Sequence, residues 1–144
     1  MAGLKRFGEQ IQRHLLSITS LVVAVTALSY NTYRNELTEQ NRNVRNAGFE
    51  LMKELNQLQL LIDYAHYERD AVKGNPITGW GHVMYVKDMS QLVSLEVAAQ
   101  AEALGSVWEK EWMLLGSDET SNARVTAAID ALRARVRYDI RALK

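Results

Sequence analysis

An uncharged, predominantly apolar run covers residues 15–30, and no comparable run occurs elsewhere in the sequence. Tyr30 and Tyr33 lie at its C-terminal end. About 20 helical residues span a hydrocarbon core of about 30 Å, and aromatic side chains are enriched where a helix leaves the membrane. The pattern therefore predicts a short tail over residues 1–14 and a transmembrane anchor over residues 15–33. The predicted membrane residues are Leu15, Leu21, Val22, Val23, Val25, Leu28, Tyr30 and Tyr33.

Two other interpretations of this run remain open. Lys5, Arg6 and Arg13 precede it, as in the basic region of a signal peptide, and residues 25–27 resemble a small-residue cleavage site. Alternatively, residues 15–30 form an interface helix buried in a soluble protein or complex. An anchor is favoured because no proline or glycine separates the run from the helical pattern that follows it.

Basic residues flank the run on both sides, so their number alone does not decide its orientation. A short tail that carries the adjacent pair Lys5 and Arg6 is typical of a signal-anchor whose N-terminus stays in the cytoplasm. The expected location is therefore a bacterial inner membrane, crossed once, with residues 34–144 in the periplasm.

Beyond the anchor, the sequence has the pattern of long helices rather than strands. It contains one proline and eight glycines, and apolar positions recur at spacings of three and four. Residues 34–72 form one such segment, which ends before the helix breakers Gly74 and Pro76. Two further segments cover residues 80–115 and 120–143. The predicted fold is all-α: the anchor continues into a long helix, which folds with two more helices as an antiparallel hairpin or three-helix bundle.

The three predicted helices differ in length, and this difference affects one end of the bundle. At ~1.5 Å per residue, the first two rise by about 58 and about 54 Å, and the third by about 36 Å. Where only two helices pair, apolar side chains stay exposed, and such a patch is typical of an interface. We therefore expect a protein partner at this tip, most simply a second copy of the chain. The predicted contact residues are Leu61, Ile62, Ala65, Val83, Val86 and Met89.

Trp108 and Trp112 lie one helical turn apart near the end of the second predicted helix. Antiparallel pairing with the first helix places them close to the membrane, where an aromatic pair can rest on the lipid headgroups. Alternatively, both side chains close the end of the bundle core. The sequence leaves these two interpretations open.

Two histidines and two aspartates flank the predicted turn between the first two helices. Asp63, His66 and Asp70 share one helical face, and the turn brings His82 toward them. Imidazole and carboxylate groups bind divalent metals, so these four residues are candidate metal ligands. However, the Glu-x-x-His motif that such helical sites repeat is absent. The alternative is a solvated helix end held by aromatic packing, and we predict no cofactor.

The composition argues against catalysis and against nucleic-acid binding. The sequence has no cysteine, no Gly-x-Ser-x-Gly motif and no glycine-rich phosphate loop in a strand–helix context, so we expect no enzyme activity. Acidic and basic residues balance at 17 each, whereas nucleic-acid-binding domains are usually strongly basic. The arginines of the C-terminal helix are instead expected to pair with Glu96 and Glu102 of the second helix.

In layout, the chain resembles the membrane-anchored helical sensor modules of bacterial chemoreceptors and histidine kinases. The resemblance implies a helical sensing module outside the membrane, but the sequence lacks the second span and the output domain of those proteins. The sequence favours a scaffold or accessory subunit that acts through protein–protein contacts. The alternatives are a small-molecule or metal-sensing module at the hairpin tip, and a soluble bundle in which residues 15–30 form a buried interface helix.

Overall fold

Every element is helical in the computed structural model, which describes the backbone of residues 2–143 and the side chains of residues 14–143. The all-helical prediction is therefore confirmed for these residues. The helices are α1 (Ala2–Asp63), α2 (Pro76–Ser90), α3 (Leu95–Glu111) and α4 (Glu119–Ala142). The chain divides into two units, Met1–Gln40 and Asn41–Lys144.

In the second unit, α1 and α4 lie side by side and run in opposite directions. Gly48 of α1 lies against the side chain of Ile140, near the end of α4. Further along α1, Asn56 Oδ1 accepts a hydrogen bond of 3.1 Å from Arg133 Nη2. Because residue numbers rise in α1 as those of its partners fall in α4, the two helices form an antiparallel pair.

The helices α2 and α3 are also antiparallel. Gly79, near the start of α2, lies against the ring of Trp108, near the end of α3. At the other end of α2, Lys87 Nζ lies 2.8 Å from Glu102 Oε2 in the first half of α3. The two helices therefore form a hairpin, connected by residues 91–94.

Contacts between α3 and α4 show the same opposite direction. Ser94, at the start of α3, hydrogen-bonds Asp139 near the end of α4. Glu111, at the end of α3, lies 2.8 Å from the guanidinium of Arg124 in the first turns of α4. The second unit is therefore an up-down-up-down bundle of four helices.

A single apolar core lies between these four helices. Its side chains recur every three or four residues along α1 and α4, as expected for helices with one buried face. The buried members of the core are Leu51, Leu55, Leu58, Leu61, Ile62, Val83, Val86, Val97, Ala101, Leu104, Trp108, Leu115, Val125, Ile129, Leu132 and Val136.

The second predicted helix, residues 80–115, is two helices in the structure. Ser94 is the N-cap of α3, because its hydroxyl oxygen accepts a hydrogen bond of 3.0 Å from the backbone N–H of Val97. The same hydroxyl group donates to a carboxylate oxygen of Asp139 in α4. A serine cap of this kind starts a new helix without a glycine or proline. The break makes the fold a four-helix bundle, and the three-helix prediction is wrong in this respect.

The first predicted helix also differs, because α1 ends at Asp63 rather than near residue 72. A π-helical turn, Tyr64–Glu68, follows, and Arg69 then adopts a left-handed backbone with φ 52°. Asp70 Oδ1 accepts hydrogen bonds from the backbone N–H groups two and three residues further on, at 2.9 and 3.0 Å. An aspartate that bonds its own backbone in this way favours a turn over a continued helix.

Candidate functional site

The predicted anchor, residues 15–33, lies within α1 and exposes all of its side chains. By length and composition, α1 contains the one stretch of the described residues that could cross a membrane, and none of that stretch is buried inside the structure. The exposed residues include Leu15, Leu21, Val22, Val23, Val25, Leu28, Tyr30 and Tyr33. The basic side chains of Lys5, Arg6 and Arg13 lie outside the described residues.

Hydroxyl groups in the anchor donate hydrogen bonds to carbonyl groups of their own helix. Thr19 Oγ1 donates to the carbonyl oxygen of Leu15 at 2.8 Å, and Thr26 Oγ1 donates to that of Val22 at 2.8 Å. Thr32 makes the same bond, at 3.0 Å, to the carbonyl group four residues earlier. Because an unpaired polar group is costly in hydrocarbon, these bonds make the threonines compatible with a lipid environment.

A cavity of about 540 Å³ lies at the end of the bundle where the α1–α2 connection meets the α3–α4 connection. We call it the loop-end cavity. Its lining is mostly apolar, and Arg69 and Asp70 are its charged residues. The apolar side chains that line it are those of Ala65, Ala71, Pro76, Trp112, Met113 and Leu115.

Two close contacts hold the chain in place around the loop-end cavity. His66 Nδ1 lies 3.0 Å from the carbonyl oxygen of Leu115; because a carbonyl only accepts, this nitrogen carries a proton and donates it. Gly74 is buried, and a Cβ atom at this position would lie 2.6 Å from the backbone nitrogen of Ala65. Only glycine allows the α1–α2 connection to approach the π-helical turn so closely.

The two charged residues of the loop-end cavity differ in their partners. Hydrogen bonds from the backbone N–H groups of Lys73 and Val72 lower the pKa of Asp70. Lys73 Nζ lies 3.8 Å from Asp70 Oδ2 and 4.5 Å from the centre of the Tyr64 ring. The side chain of Arg69, in contrast, is exposed and forms none of the ion pairs found among residues 14–143. The guanidinium group therefore remains available to an anion that enters the cavity.

A polar cluster connects the end of α3 to the start of α4. Ser121 Oγ lies 2.6 Å from Glu111 Oε2 and 2.7 Å from Asp118 Oδ2, so its one proton is donated to one carboxylate at a time. The Ser121 hydroxyl group and the guanidinium of Arg124 lower the pKa of Glu111. Hydrogen bonds from the side chain and backbone of Ser121 lower the pKa of Asp118. These bonds satisfy the carboxylate of Glu111, which is largely buried.

The four candidate metal ligands do not come together. Among the described side chains, no group of three or more histidine, cysteine, aspartate or glutamate residues could hold a metal ion. His82 Nδ1 lies 2.6 Å from Glu54 Oε1, because α2 begins at Pro76 and runs back along α1. Asp63 accepts a hydrogen bond from the glutamine one turn earlier. His66 and Asp70 have the separate partners described above, so the predicted convergence of these residues is wrong.

The predicted partner contacts at the tip lie inside the chain's own core. Four of these residues are buried, and Ala65 and Met89 are partly buried against the core. The buried residues are Leu61, Ile62, Val83 and Val86. The helix α3, which the break at residues 91–94 creates, completes the bundle at this level. The exposed apolar patch that the sequence predicts for a second copy is therefore absent, and its contacts are made within the chain.

The two tryptophans have different environments. Trp108 is 0% exposed, and its ring meets that of Trp80 in a T-shaped arrangement with 6.4 Å between the ring centres. Of the two interpretations that the sequence leaves open for Trp108, the position at the membrane interface is wrong, because the whole side chain lies in the core. Trp112 is partly buried and lines the loop-end cavity.

The predicted ion pairs of the C-terminal helix are present in part. Arg135 Nη2 lies 3.6 Å from Glu96 Oε2, whereas Glu102 pairs with Lys87 of α2. The sequence pattern could not predict which partner each glutamate has, because it predicts α2 and α3 as one helix.

The loop-end cavity is not predicted by the sequence pattern. The sequence pattern marks Gly74 only as a helix breaker, and Ala71 and Met113 belong to no recognisable motif. Asp70, a turn-forming residue followed by a glycine within one turn, was the local signal that the α1–α2 connection begins early. The meeting of two distant connections depends on the order of the helices, which the sequence pattern did not reveal.

Comparison with protein-family models, with curated proteins and with solved structures finds no match to this chain. No residue role is therefore transferred to it from a relative.

Proposed function

We propose that this protein is a single-span membrane protein that holds a four-helix bundle at a bacterial inner membrane and acts as a non-enzymatic scaffold or accessory subunit. The observation that carries the proposal is the exposure of the anchor, residues 15–33. At ~1.5 Å per residue this segment is about 28 Å long, close to a hydrocarbon thickness of about 30 Å. Since none of its apolar surface enters the core, a lipid environment accounts for that surface.

The polar groups of the anchor support the same proposal. The three threonine hydroxyl groups are bonded to carbonyl groups of their own helix, and residues 15–33 contain no charged side chain. Tyr30 and Tyr33 are exposed at one end, where aromatic side chains suit the headgroup layer. The basic tail favours an N-terminus in the cytoplasm, so we place the bundle in the periplasm.

Exposed apolar side chains on the bundle support contacts with a protein partner. Leu92 and Leu95, beside the α2–α3 connection, are 60% and 84% exposed. These two leucines are the large apolar side chains exposed at this connection, and we propose them as the contact region. The partner's contacts are expected there and not at the six tip residues, which the core already covers.

Membrane fractionation with protease protection tests the anchor. The full-length chain is expressed in a bacterium with two membranes, and the membranes are washed at alkaline pH. We expect the chain in the membrane pellet, with residues 34–144 digested only after the outer membrane is opened. A full-length soluble chain would overturn the anchor, and a mature chain shortened near residue 27 would show a cleaved signal peptide.

A charge variant tests which residues hold the protein in the membrane. The double variant Val22→Arg, Val23→Arg places two cations in the anchor, at a cost of about 3 kcal/mol each, and should move the chain out of the washed pellet. Asn35→Arg, Asn43→Arg adds the same charge outside the anchor and should leave the distribution unchanged. Equal behaviour of both variants would contradict the assignment of residues 15–33.

A further inference from the structure

We infer that the loop-end cavity binds a small carboxylic acid with an aromatic or aliphatic body, and that Arg69 pairs with its carboxylate group. The inference goes beyond the proposed function and does not rest on membrane attachment. It combines the lining of the cavity, the free cation at its edge and the unusual backbone that presents this cation.

The shape and lining of the cavity suit the body of such a ligand. A volume of about 540 Å³ falls within the range of about 300–1,000 Å³ that is common for small-molecule sites. Side chains of Ala65, Trp112, Met113 and Leu115 provide apolar contacts from both connections. A flat or short apolar body would contact these side chains.

The charges around the cavity favour an anion over a cation. Asp70 is the carboxylate of the lining, and it already accepts two backbone hydrogen bonds beside Lys73. The guanidinium of Arg69 forms none of the ion pairs found among residues 14–143. Guanidinium groups bind carboxylates through two parallel hydrogen bonds, so a carboxylate is the head group that this edge can recognise.

The backbone of Arg69 is the second, independent observation. Its φ of 52° and ψ of 32° lie in the left-handed region, which asparagine and glycine adopt more easily than arginine. A π-helical turn, Tyr64–Glu68, immediately precedes it. π-Helical turns and left-handed residues other than glycine both concentrate at functional sites. The residue with this strained backbone is the same Arg69 that lines the cavity and makes no ion pair with the described residues.

Phenylacetate is a suitable probe, and its uncharged analogue phenylacetamide is the matched control. The full-length chain is placed in lipid nanodiscs with ¹³C-labelled alanine and methionine methyl groups. We expect saturable shifts of the Ala65, Ala71 and Met113 signals with phenylacetate. A ligand of about ten heavy atoms should bind with a Kd of about 1 mM, and phenylacetamide should bind more weakly.

Three variants separate recognition by Arg69 from a structural role. Arg69→Asn keeps a residue that tolerates the left-handed backbone and should weaken phenylacetate binding about tenfold without changing that of phenylacetamide. Arg69→Lys should recover part of the loss. Arg137→Gln removes an exposed arginine of α4 and should have no effect.

Two results would overturn the inference. The first is an absence of saturable shifts at the cavity methyl groups, including the case in which all methyl groups shift together because the probe enters the lipid. The second is equal binding of phenylacetate to the wild-type chain and to Arg69→Asn. Neither result bears on membrane attachment, because Arg69→Asn should fractionate like the wild-type chain whether or not it binds the probe.

Discussion

At the scale of single residues, two glycines of α2 have opposite surroundings although they lie only two positions apart. A Cβ atom at Gly79 would lie 2.3 Å from the ring of Trp108, whereas a Cβ atom at Gly81 would meet nothing within 4 Å. Trp108 cannot move aside easily, because its ring is fully buried and packs against Trp80. The close approach of α2 to α3 therefore depends on Gly79 and not on Gly81.

The variant Gly79→Ala should lower the free energy of unfolding by about 1–3 kcal/mol, because the added methyl group overpacks the core. Gly81→Ala should raise it by about 0.5–1 kcal/mol, because alanine is the better helix former at an open position. Chemical denaturation of both variants, followed by circular dichroism, measures the difference. A Gly79→Ala variant as stable as the wild-type chain would show that α2 and α3 lie further apart at this position.

At the scale of the helices, the pattern of apolar positions predicted the element type better than the element boundaries. The C-terminal helix, expected over 120–143, is α4 in the structure, Glu119–Ala142, because Gly116 and the N-cap Asp118 mark its start clearly. The break at residues 91–94 contains neither glycine nor proline. Its signal was Ser94, one serine among several, which caps α3 through the backbone N–H of Val97 and also hydrogen-bonds the distant Asp139.

The same missed break explains why the candidate sites were placed wrongly. With one continuous helix over residues 80–115, the six tip residues lack cover and both tryptophans point toward the membrane. Once α3 folds back, the tip is covered and Trp108 enters the core. The metal candidates failed for a related reason, because the early end of α1 changed which residues of α2 face it. Long-range packing therefore determines where these side chains lie, and local periodicity could not predict it.

A cysteine pair tests the break directly. Lys87→Cys and Glu102→Cys should be joined by a short bis-maleimide, because the native side chains meet at 2.8 Å. In one continuous helix these positions would lie about 22 Å apart. The chain has no cysteine of its own, so the product is easily read by mass spectrometry.

The matched control for this crosslink is Ala123→Cys with Tyr138→Cys. Both positions are exposed within the uninterrupted helix α4 and have the same separation in sequence. This pair should give no crosslink within the chain. Failure of the first pair, or equal yields from both, would contradict the α2–α3 hairpin.

At the scale of the whole molecule, acid should destabilise the fold through a few carboxyl groups. Hydrogen bonds lower the pKa values of Asp70, Glu111 and Asp118 in the folded state. The unfolded chain therefore binds more protons than the folded chain as these groups titrate, and stability falls with falling pH. Their stabilising contribution is complete above the unfolded values, about 3.9 for aspartate and about 4.3 for glutamate, and is lost as the pH falls through the lower folded values.

The variant Glu111→Gln should show a shallower loss of Tm than the wild-type chain between pH 5 and pH 3, and a lower Tm at pH 7. The reason is that the amide cannot titrate and cannot form the ion pair with Arg124. Glu109→Gln, which changes an exposed glutamate of the same helix, should follow the wild-type curve. Parallel curves for Glu111→Gln and the wild-type chain would assign the acid sensitivity to other groups.

The antiparallel pairing of α1 with α4 also determines the order in which the core can be completed. The hydrogen bond between Asn56 and Arg133 joins residues 77 positions apart, so α1 is synthesised long before its partner exists. The ribosome adds about 5–20 residues per second. The apolar face that carries Leu51 and Leu55 therefore stays without its partner α4 for roughly 4–15 s. During this interval α2 and α3 can already close their local hairpin. The newly made chain is therefore expected to need a chaperone, or early attachment to the membrane, until its last helix leaves the ribosome.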